Sequence, residues 1–260
     1  MILDSLADAA RARVAKKKRE KSLAALRSEA EALPRERQGI FRGSLSGEGL
    51  HLIAEVKKAS PSRGLIAPRF PYEKIADTYE YCGAAAISVL TEPTRFLGSN
   101  QYLAEIRQRV QVPILRKDFT VDAYMIYEAK SIGADAVLLI AAILSDTELQ
   151  EYRALAEELG MDALVEAHDE KEVERALASG AKVLGVNNRN LKEFTVDIHN
   201  SLRLRPLVPR EIPFVAESGI HERAQLEELK KSGVNGVLIG EVLMRSPSIE
   251  EKIQELMGAL

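Results

Sequence analysis

The sequence predicts an α/β protein in which eight parallel strands close into a (β/α)8 barrel, the TIM-barrel architecture, with an N-terminal helical extension. Eight short β-rich segments recur along the 260 residues, and helical patterns separate them. The chain length also fits, because such a barrel commonly takes about 250 residues as a single domain. We therefore expect one domain over residues 1–260.

The eight β-rich segments are nearly continuous in apolar residues and do not alternate. Strands covered on both faces, as in parallel sheets, have this pattern. The segments are His51–Val56, Ala85–Leu90, Val112–Arg116, Ala136–Ile140, Ala163–Glu166, Val183–Asn187, Ile212–Ala216 and Gly236–Ile239. An open doubly wound sheet would usually show Gly-x-Gly-x-x-Gly after its first strand. The stretch KKASPSRG stands there instead, which favours a closed barrel.

Signals for helix starts and ends lie between these segments. Ser145 with Glu148 and Ser248 with Glu251 have the spacing of capping boxes. Glycines, which suit the left-handed position after a helix, precede several strands. They are Gly83, Gly133, Gly160, Gly180 and Gly233. Residues 1–48 come before the first strand and have a helical pattern, so we expect them to pack on the barrel as the N-terminal extension.

Composition excludes several classes of function. The net charge of -3 provides no strong field toward nucleic acid or an anionic membrane. Cys82 is the only cysteine, which excludes an intramolecular disulfide and a cysteine-based metal site. The longest apolar run, Val137–Leu144, is far shorter than the roughly 18 residues of a membrane helix. We expect a cytoplasmic monomer or weak homo-oligomer that binds neither nucleic acid nor membrane.

Charged and polar residues stand at the C-terminal ends of the predicted strands, where barrels of this kind carry their chemistry. The residues at these ends are Glu55 and Lys57, Arg116–Phe119, Glu166, Asn187–Arg189, Glu217–Gly219, and Gly240 and Glu241. Glu55 and Lys57 are two residues apart, so they point to the same face. A single charge of this kind is equally typical of an ion pair at the rim. The full set predicts one site.

Two glycine-containing loops predict a phosphate in this site. Gly219 and Gly240 lie next to short helical segments after strands seven and eight. Unpaired amides and the helix dipole attract anions there, and barrels often hold a phosphate at this place. The four histidines lack the spacing of metal ligands, although His168, just past Glu166, could face the site. Acid–base chemistry on a sugar phosphate, with no cofactor or metal, fits these residue types.

Eight sequence blocks follow one another along nearly the whole chain, namely LIAEVKKASPSRGLI, SVLTEPTRFLGS, PILRKDF, GADAVLLI, LVEAH, GVNNRNL, VAESGI and LIGEVLMR. They resemble the blocks of the indole-3-glycerol-phosphate synthase family, in the family's order. The first is specific, whereas AESGI also occurs in other phosphate-binding barrels. The resemblance implies a cofactor-free lyase of tryptophan biosynthesis. Its substrate would be 1-(2-carboxyphenylamino)-1-deoxyribulose 5-phosphate, which is converted by ring closure, decarboxylation and dehydration to indole-3-glycerol phosphate.

The resemblance also implies roles for individual residues. Lys117 resembles the general acid that protonates the substrate carbonyl, and Glu166 resembles its acid–base partner. Glu55 and Lys57 would orient the site, with Lys57 near the phosphate. Asn187 and Arg189 would bind substrate and position the catalytic groups. The remaining assignments are Ser60 at the anthranilate carboxylate, Phe96, Phe119 and Leu191 around the aromatic ring, Glu217 and Ser218 at hydroxyl and phosphate, and backbone amides of Gly219, Gly240 and Glu241.

Two expectations concern charge at this site. We expect Lys117 to be buried among other cations, which would lower the pKa of its ammonium and let it donate near neutrality. Glu241 departs from some relatives, which carry a serine there. If a backbone amide holds the phosphate, the Glu241 side chain matters little.

Two alternatives remain open from the residues. A barrel like phosphoribosylanthranilate isomerase would require a cysteine and an aspartate as its acid–base pair, and no predicted strand ends in a cysteine. A non-catalytic barrel that binds a phosphorylated ligand need not retain Lys117, Glu166 and Glu55. An assay with the carboxyphenylamino-deoxyribulose phosphate distinguishes these alternatives.

Overall fold

The computed structural model describes residues 2–190 and 195–258. Eight parallel strands form a closed barrel in which each strand pairs with the next along the chain and the last pairs with the first. The strands, β1 to β8, are His51–Val56, Ala86–Leu90, Ile114–Lys117, Ala136–Ile140, Asp162–Ala167, Val183–Asn187, Phe214–Glu217 and Gly236–Ile239. The predicted fold class is therefore confirmed.

Strands β3 and β7 begin later than the sequence pattern indicated. Pro113 and Pro213 stand immediately before them, and proline has no N–H group to donate to the strand ladder. Both strands also continue one residue further than predicted, to Lys117 and Glu217. The two side chains are thus fixed by strand pairing rather than by a loop.

Alternation along the strands explains why charged side chains meet at one end of the barrel. Ile53, Leu115, Leu164 and Val215 belong to the apolar cluster that fills the barrel interior. Two residues further along each strand, on the same face, stand Glu55, Lys117, Glu166 and Glu217. The inward face therefore changes from apolar to charged at the C-terminal mouth.

Three helices precede β1, namely α1 (Ile2–Glu20), α2 (Leu23–Ala32) and α3 (Ile40–Ser44). Phe41 of α3 and the following Leu45 are fully buried in the interior cluster, so they close the N-terminal base of the barrel. α1 runs to the opposite end, where Arg13 pairs with Asp118 just after β3 (2.7 Å).

The later helices are Tyr72–Tyr81, Asn100–Arg107, Ala123–Ser131, Asp146–Glu158, Glu170–Ala178, His199–Leu204, Arg223–Lys231, Glu241–Met244 and Ile249–Met257. Short 3-10 turns cover Ala141–Ile143 and Arg205–Leu207. Ser145 and Glu148 form the predicted capping box, and Ser248 caps the last helix through the Glu251 amide. The five predicted helix-ending glycines all have φ near +80°. Among the described residues, no helix is long and apolar enough to cross a membrane.

Candidate active site

A cavity opens at the C-terminal mouth of the barrel, and every residue with a predicted role that the structure describes lines it. These residues are Glu55, Lys57, Ser60, Phe96, Lys117, Phe119, Glu166, Asn187, Arg189, Glu217, Ser218, Gly219, Gly240 and Glu241. Leu191 was predicted to join them but lies outside the described residues. The ends and following loops of seven strands thus converge on one space, as the spacing indicated.

Lys117 lies between two buried carboxylates. Its Nζ is 3.2 Å from Glu166 Oε2 and 3.3 Å from Glu217 Oε2. Burial lowers the pKa of Lys117, but the negative charges of Glu166 and Glu217, with a smaller contribution from Glu55, outweigh it and raise the pKa above its ordinary value. The expectation of a lowered pKa is therefore wrong, because the neighbours from β5 and β7 are anions rather than cations. Lys117 is cationic at neutral pH.

The two carboxylates differ from each other in protonation. Burial raises the pKa of Glu217, and repulsion from Glu166 adds to this effect, so that the pKa reaches about 8 despite the attraction of Lys117. Burial also acts to raise the pKa of Glu166, but Lys117, His168 and a hydrogen bond from Asn187 together lower it. The site therefore holds an ionised Glu166 beside a Glu217 that retains its proton near neutrality.

Two glycines make room for the buried carboxylates. A Cβ on Gly240 would lie 2.5 Å from Glu55 Oε2, and a Cβ on Gly185 would lie 2.4 Å from Glu217 Oε1. Both distances are shorter than any tolerated contact, so a side chain at either position would push a carboxylate out of place. Glu55 Oε2 lies 2.5 Å from Lys57 Nζ, which confirms that these two side chains project together.

The loop after β7 has unusual backbone geometry. Ser218 has φ +68° and Gly219 has φ +80°, and a non-glycine residue in this region is uncommon and often marks a functional site. The next helix begins only at Arg223, so the expectation that Gly219 borders a helix start is wrong. Gly240, in contrast, is the N-cap residue of Glu241–Met244.

A short hairpin after β1 brings further groups to the cavity. Its strands Ala59–Ser60 and Gly64–Leu65 pair antiparallel. The Ser60 hydroxyl is buried and has no hydrogen-bond partner among the described residues, as expected of a group that awaits a ligand. Arg63, in the turn, pairs with Glu241 after β8 (3.0 Å), and this ion pair connects the loops of the first and last strands.

The apolar part of the cavity contains both predicted and unpredicted residues. The rings of the predicted Phe96 and Phe119 lie 6.2 Å apart at 42°. The sequence analysis missed Ile2, Leu3 and Leu6 of α1, which also line the cavity. Their spacing places them on one face of the helix, so periodicity could have identified an apolar face, although not the surface against which it packs.

Asn187 and Asn188 are consecutive but have different surroundings. Asn187 lines the cavity and receives the Arg189 amide on Oδ1 (3.0 Å). Asn188 is buried outside it and connects neighbouring segments. Its Nδ2 donates to Ser218 O (3.1 Å), and its Oδ1 accepts from the Ser201 hydroxyl (2.7 Å). Of the two, only Asn187 lines the cavity, and its predicted role stays a prediction.

His168 does not line this cavity but stands behind Glu166, at 3.4 Å. Within the described part of the chain, no group of three or more His, Cys, Asp or Glu side chains could hold a metal ion. Cys82 is the C-cap residue of Tyr72–Tyr81 and does not line the cavity.

Comparisons with known proteins give consistent results. A family model described as indole-3-glycerol phosphate synthase matches residues 3–256. The indole-3-glycerol phosphate synthase of Lacticaseibacillus paracasei is 56% identical over 246 residues, which cover 95% of each chain. That of Ruminiclostridium cellulolyticum is 51% identical over 259 residues, which cover 100% of each chain.

Solved structures show a likeness in fold alone. The tryptophan synthase A-subunit of Pyrococcus furiosus superposes with a TM-score of 0.58 at 16% identity, over 80% of this chain and 97% of that one. The thiamine phosphate pyrophosphorylase of the same organism has a TM-score of 0.58 at 19% identity, over 80% and 93%.

Proposed function

The chain belongs to the indole-3-glycerol phosphate synthase family, and from this premise we propose how its barrel mouth carries the family's reaction. The enzyme is a decarboxylating lyase of tryptophan biosynthesis. It converts 1-(2-carboxyphenylamino)-1-deoxyribulose 5-phosphate to indole-3-glycerol phosphate, carbon dioxide and water. What remains to be assigned is the work of each side chain.

The observation that carries the assignment is Lys117, held between Glu166 and Glu217. As the carboxylated ring carbon attacks the substrate ketone, negative charge develops on the ketone oxygen. A fixed ammonium stabilises that charge most in the transition state. The developing alkoxide is a stronger base than the amine, so Lys117 can transfer its proton even though its pKa is raised.

The two glutamates have complementary states for the later proton transfers. Glu166 is ionised. It can therefore take up a proton from the newly formed five-membered ring when the loss of water completes the indole. Glu217 retains its proton near neutrality because its pKa is about 8, so it can donate a hydrogen bond to a substrate hydroxyl. Neighbouring carboxyl groups with separated pKa values commonly divide acid and base roles in this way.

Binding groups surround this central cluster. We assign the substrate phosphate to the amides of Gly219 and Gly240 with the charge of Lys57, since all three residues line the cavity. The aromatic ring fits the apolar wall of Phe96 and Phe119. The unpartnered hydroxyl of Ser60 suits the ring carboxylate. Asn187 and Arg189 would position Glu166 and the substrate.

Formation of an indole provides the direct test. The chain contains no tryptophan, so indole fluorescence that rises after substrate addition must come from product. We expect this rise with purified protein, without added metal or nucleotide, and with EDTA present. Loss of the signal in EDTA would contradict cofactor-free catalysis. Binding of the substrate without any fluorescence would instead support a non-catalytic phosphate-binding barrel, and turnover of phosphoribosylanthranilate would support the isomerase alternative.

Three further assignments accompany this function as proposals. We propose that the enzyme acts in the cytoplasm, that it is a monomer or weak homo-oligomer, and that residues 1–48 form an extension of a single barrel domain. Sedimentation at several concentrations checks the oligomeric state, and one cooperative unfolding transition of the whole chain would support the single domain.

A further inference from the structure

His168 continues the inward face of strand β5 beyond the catalytic glutamate. Leu164 is in the barrel interior, Glu166 follows two residues later at the cavity, and His168 follows two residues after that, just past the strand end at Ala167. Side chains at this spacing share a face. The imidazole therefore belongs to the same inward-facing series as Glu166, although it does not touch the cavity itself.

Glu172 holds the imidazole in place. One carboxylate oxygen of Glu172, Oε2, accepts from the His168 backbone amide (2.9 Å) and lies 3.0 Å from His168 Nδ1. Glu172 is in the first turn of the helix Glu170–Ala178. These two contacts, which we call the Glu172 clamp, therefore connect the strand end to the helix that follows. The His168 side chain is only 17% exposed, which leaves it little freedom to turn away.

The other ring nitrogen faces the catalytic carboxylate. His168 Nε2 lies 3.4 Å from Glu166 Oε1, while Lys117 lies 3.2 Å from Glu166 Oε2. Nε2 is buried and makes no hydrogen bond within the described part of the chain, so its contact with Glu166 is a charge contact. Each oxygen of Glu166 thus faces one nitrogen base.

This arrangement favours the imidazolium. If Nδ1 of a neutral ring donates to Glu172, Nε2 presents a lone pair to the carboxylate of Glu166, which is repulsive; the cation can donate from both nitrogens. Burial lowers the pKa of His168, but Glu172 and Glu166 outweigh it and raise the pKa. Glu217 acts in the same direction from β7. His168 also lines a neighbouring cavity, whose other charged lining residues are Asp4, Asp169, Glu172, Arg189, Asp197, His199 and Arg203.

We propose that His168 is a positioning residue, which as an imidazolium clamped by Glu172 fixes the carboxylate of Glu166 with Oε2 toward Lys117 and keeps it ionised. The inference rests on the proposed function only in taking Glu166 as the acid–base partner of Lys117. The role has two separable parts, since orientation requires a donor at Nε2 and ionisation of Glu166 requires the positive charge.

Kinetics of two substitutions separate these parts. In His168→Ala we expect kcat to fall about tenfold or more, because small misplacements of a catalytic group are costly. We expect the acid limb of the kcat–pH profile to move upward by roughly one pH unit, because a cation beside Glu166 is lost. His168→Gln keeps an N–H donor without the charge. It should recover part of kcat but leave the acid limb displaced.

His199 provides the matched control. It pairs with Asp197 (2.8 Å) in an exposed setting, so His199→Ala should leave kcat and the acid limb unchanged. If the acid limb stays in place in both His168 variants, the inference is overturned, even when kcat falls. If His168→Ala behaves like His199→Ala, it is overturned as well.

A titration that needs no turnover guards against a variant that fails to fold. The imidazole signals of His168, assigned by their absence in His168→Gln, should titrate at lower pH in Glu166→Gln and in Glu172→Gln than in the wild type. An unchanged midpoint in Glu166→Gln overturns the inference. Full kcat in Glu166→Gln would overturn the role of Glu166 in the proposed function. An inactive Glu166→Gln with an unmoved acid limb in His168→Gln would overturn only the positioning role.

Discussion

The base and the mouth of the barrel both bury charged side chains, but these charges have different surroundings. At the base, Asp135 receives Arg37 (2.6 Å), Arg107 (2.9 Å) and the Ile114 amide (2.8 Å). Arg205 donates to the carbonyl oxygen of Gly233 (2.7 Å). Each of these groups has partners supplied by the chain itself, so none of these charged groups requires a ligand as a partner.

At the mouth the chain leaves charged and polar groups incompletely partnered. Two carboxylates share Lys117, and the Ser60 hydroxyl and Glu217 Oε1 are buried without a hydrogen-bond partner among the described residues. Leaving such groups unpaired costs stability. The comparison indicates that charges at the base serve folding, whereas those at the mouth are arranged for a substrate that supplies the missing partners.

Substitution of Lys117 gives the largest expected effect. Lys117→Met removes the proposed general acid. Loss of such a group typically costs ~10² to 10⁴ in rate, so kcat should fall by at least ~10²-fold while the substrate still binds. Thermal unfolding should change little, because Glu166 loses a partner but can protonate, and Glu217 already holds a proton near neutrality. Steady-state kinetics and circular dichroism melts check both statements. Lys182→Met, at an exposed pair with Glu157, is the control.

Lys57→Met sharpens this result within the mouth. Lys57 pairs with Glu55 on β1 and is assigned to the phosphate, so a larger share of its damage should fall on KM, as expected for binding that is equal in ground and transition states. If Lys57→Met lowered only kcat and Lys117→Met raised only KM, the two roles would be reversed, and Lys57 would be the better general acid.

At the base the same kind of change should act on stability instead. Asp135→Asn removes the carboxylate that faces Arg37 and Arg107, and breaking a buried pair by one partner costs about 3–5 kcal/mol. Denaturant unfolding should show this loss, with kcat unchanged at temperatures where the variant is folded. Asp146→Asn breaks an exposed pair with Arg175 (2.6 Å, Asp146 80% exposed) and should have little effect. A fall in kcat of folded Asp135→Asn would contradict the conclusion that charges at the base serve folding alone.

Much of this division could be predicted from the sequence. Continuous apolar runs gave the eight strands, because a parallel barrel covers both faces of each strand. Spacing by two residues then placed Glu55 and Lys57 together at the mouth. The predicted starts of β3 and β7 were wrong. Both strands begin later than predicted, because Pro113 and Pro213 have no N–H group to donate to the strand ladder.

Long-range neighbours could not be predicted. The raised pKa of Lys117 depends on β5 and β7 delivering Glu166 and Glu217 to within hydrogen-bonding distance, which no local pattern encodes. The position of α1 across the mouth is likewise a matter of tertiary packing. The individual roles of the site residues, including Leu191 outside the described residues, and the limits of the N-terminal extension stay predictions.

The pH dependence of stability tests the mouth without catalysis. Burial and repulsion from Glu166 raise the pKa of Glu217 from 4.5 to about 8. Between these values the folded state holds a proton that the unfolded state has released, so the free energy of unfolding falls as pH rises through this window. Glu217→Gln removes this dependence. Relative to the wild type, the variant should therefore gain stability from about pH 5 to about pH 8.

Denaturant unfolding at several pH values measures this difference. Glu255→Gln, with a side chain that is 58% exposed, serves as the control and should follow the wild type across the window. A Glu217→Gln variant that stays parallel to the wild type would show that the carboxyl is ionised in the folded protein at neutral pH. The proposed hydrogen bond from Glu217 to a substrate hydroxyl would then be wrong.

The smallest expected effect concerns Glu241, whose carboxylate lines the cavity beside the assigned phosphate amides. Arg63 pairs with it at 3.0 Å, but Arg63 is 56% exposed, and exposed pairs contribute about 0–1 kcal/mol to stability. Glu241→Gln removes a negative charge that would repel the phosphate, so inorganic phosphate should compete with substrate a few-fold more strongly. Arg63→Gln removes the nearer of the two arginines beside that charge and leaves only Arg245 at 3.7 Å, so phosphate should compete less well.

The exposed pair of Arg27 and Glu31 on α2 (2.7 Å) supplies the matched control. Glu31→Gln breaks an ion pair of the same kind at a distance from the mouth, so it should change neither stability nor phosphate competition. Equal competition in Glu241→Gln, Arg63→Gln and the wild type would mean that the backbone amides hold the phosphate without regard to the side chain after β8. The charged groups arranged for the substrate would then be those around Lys117 inside the barrel, and the ion pair at the rim would not be one of them.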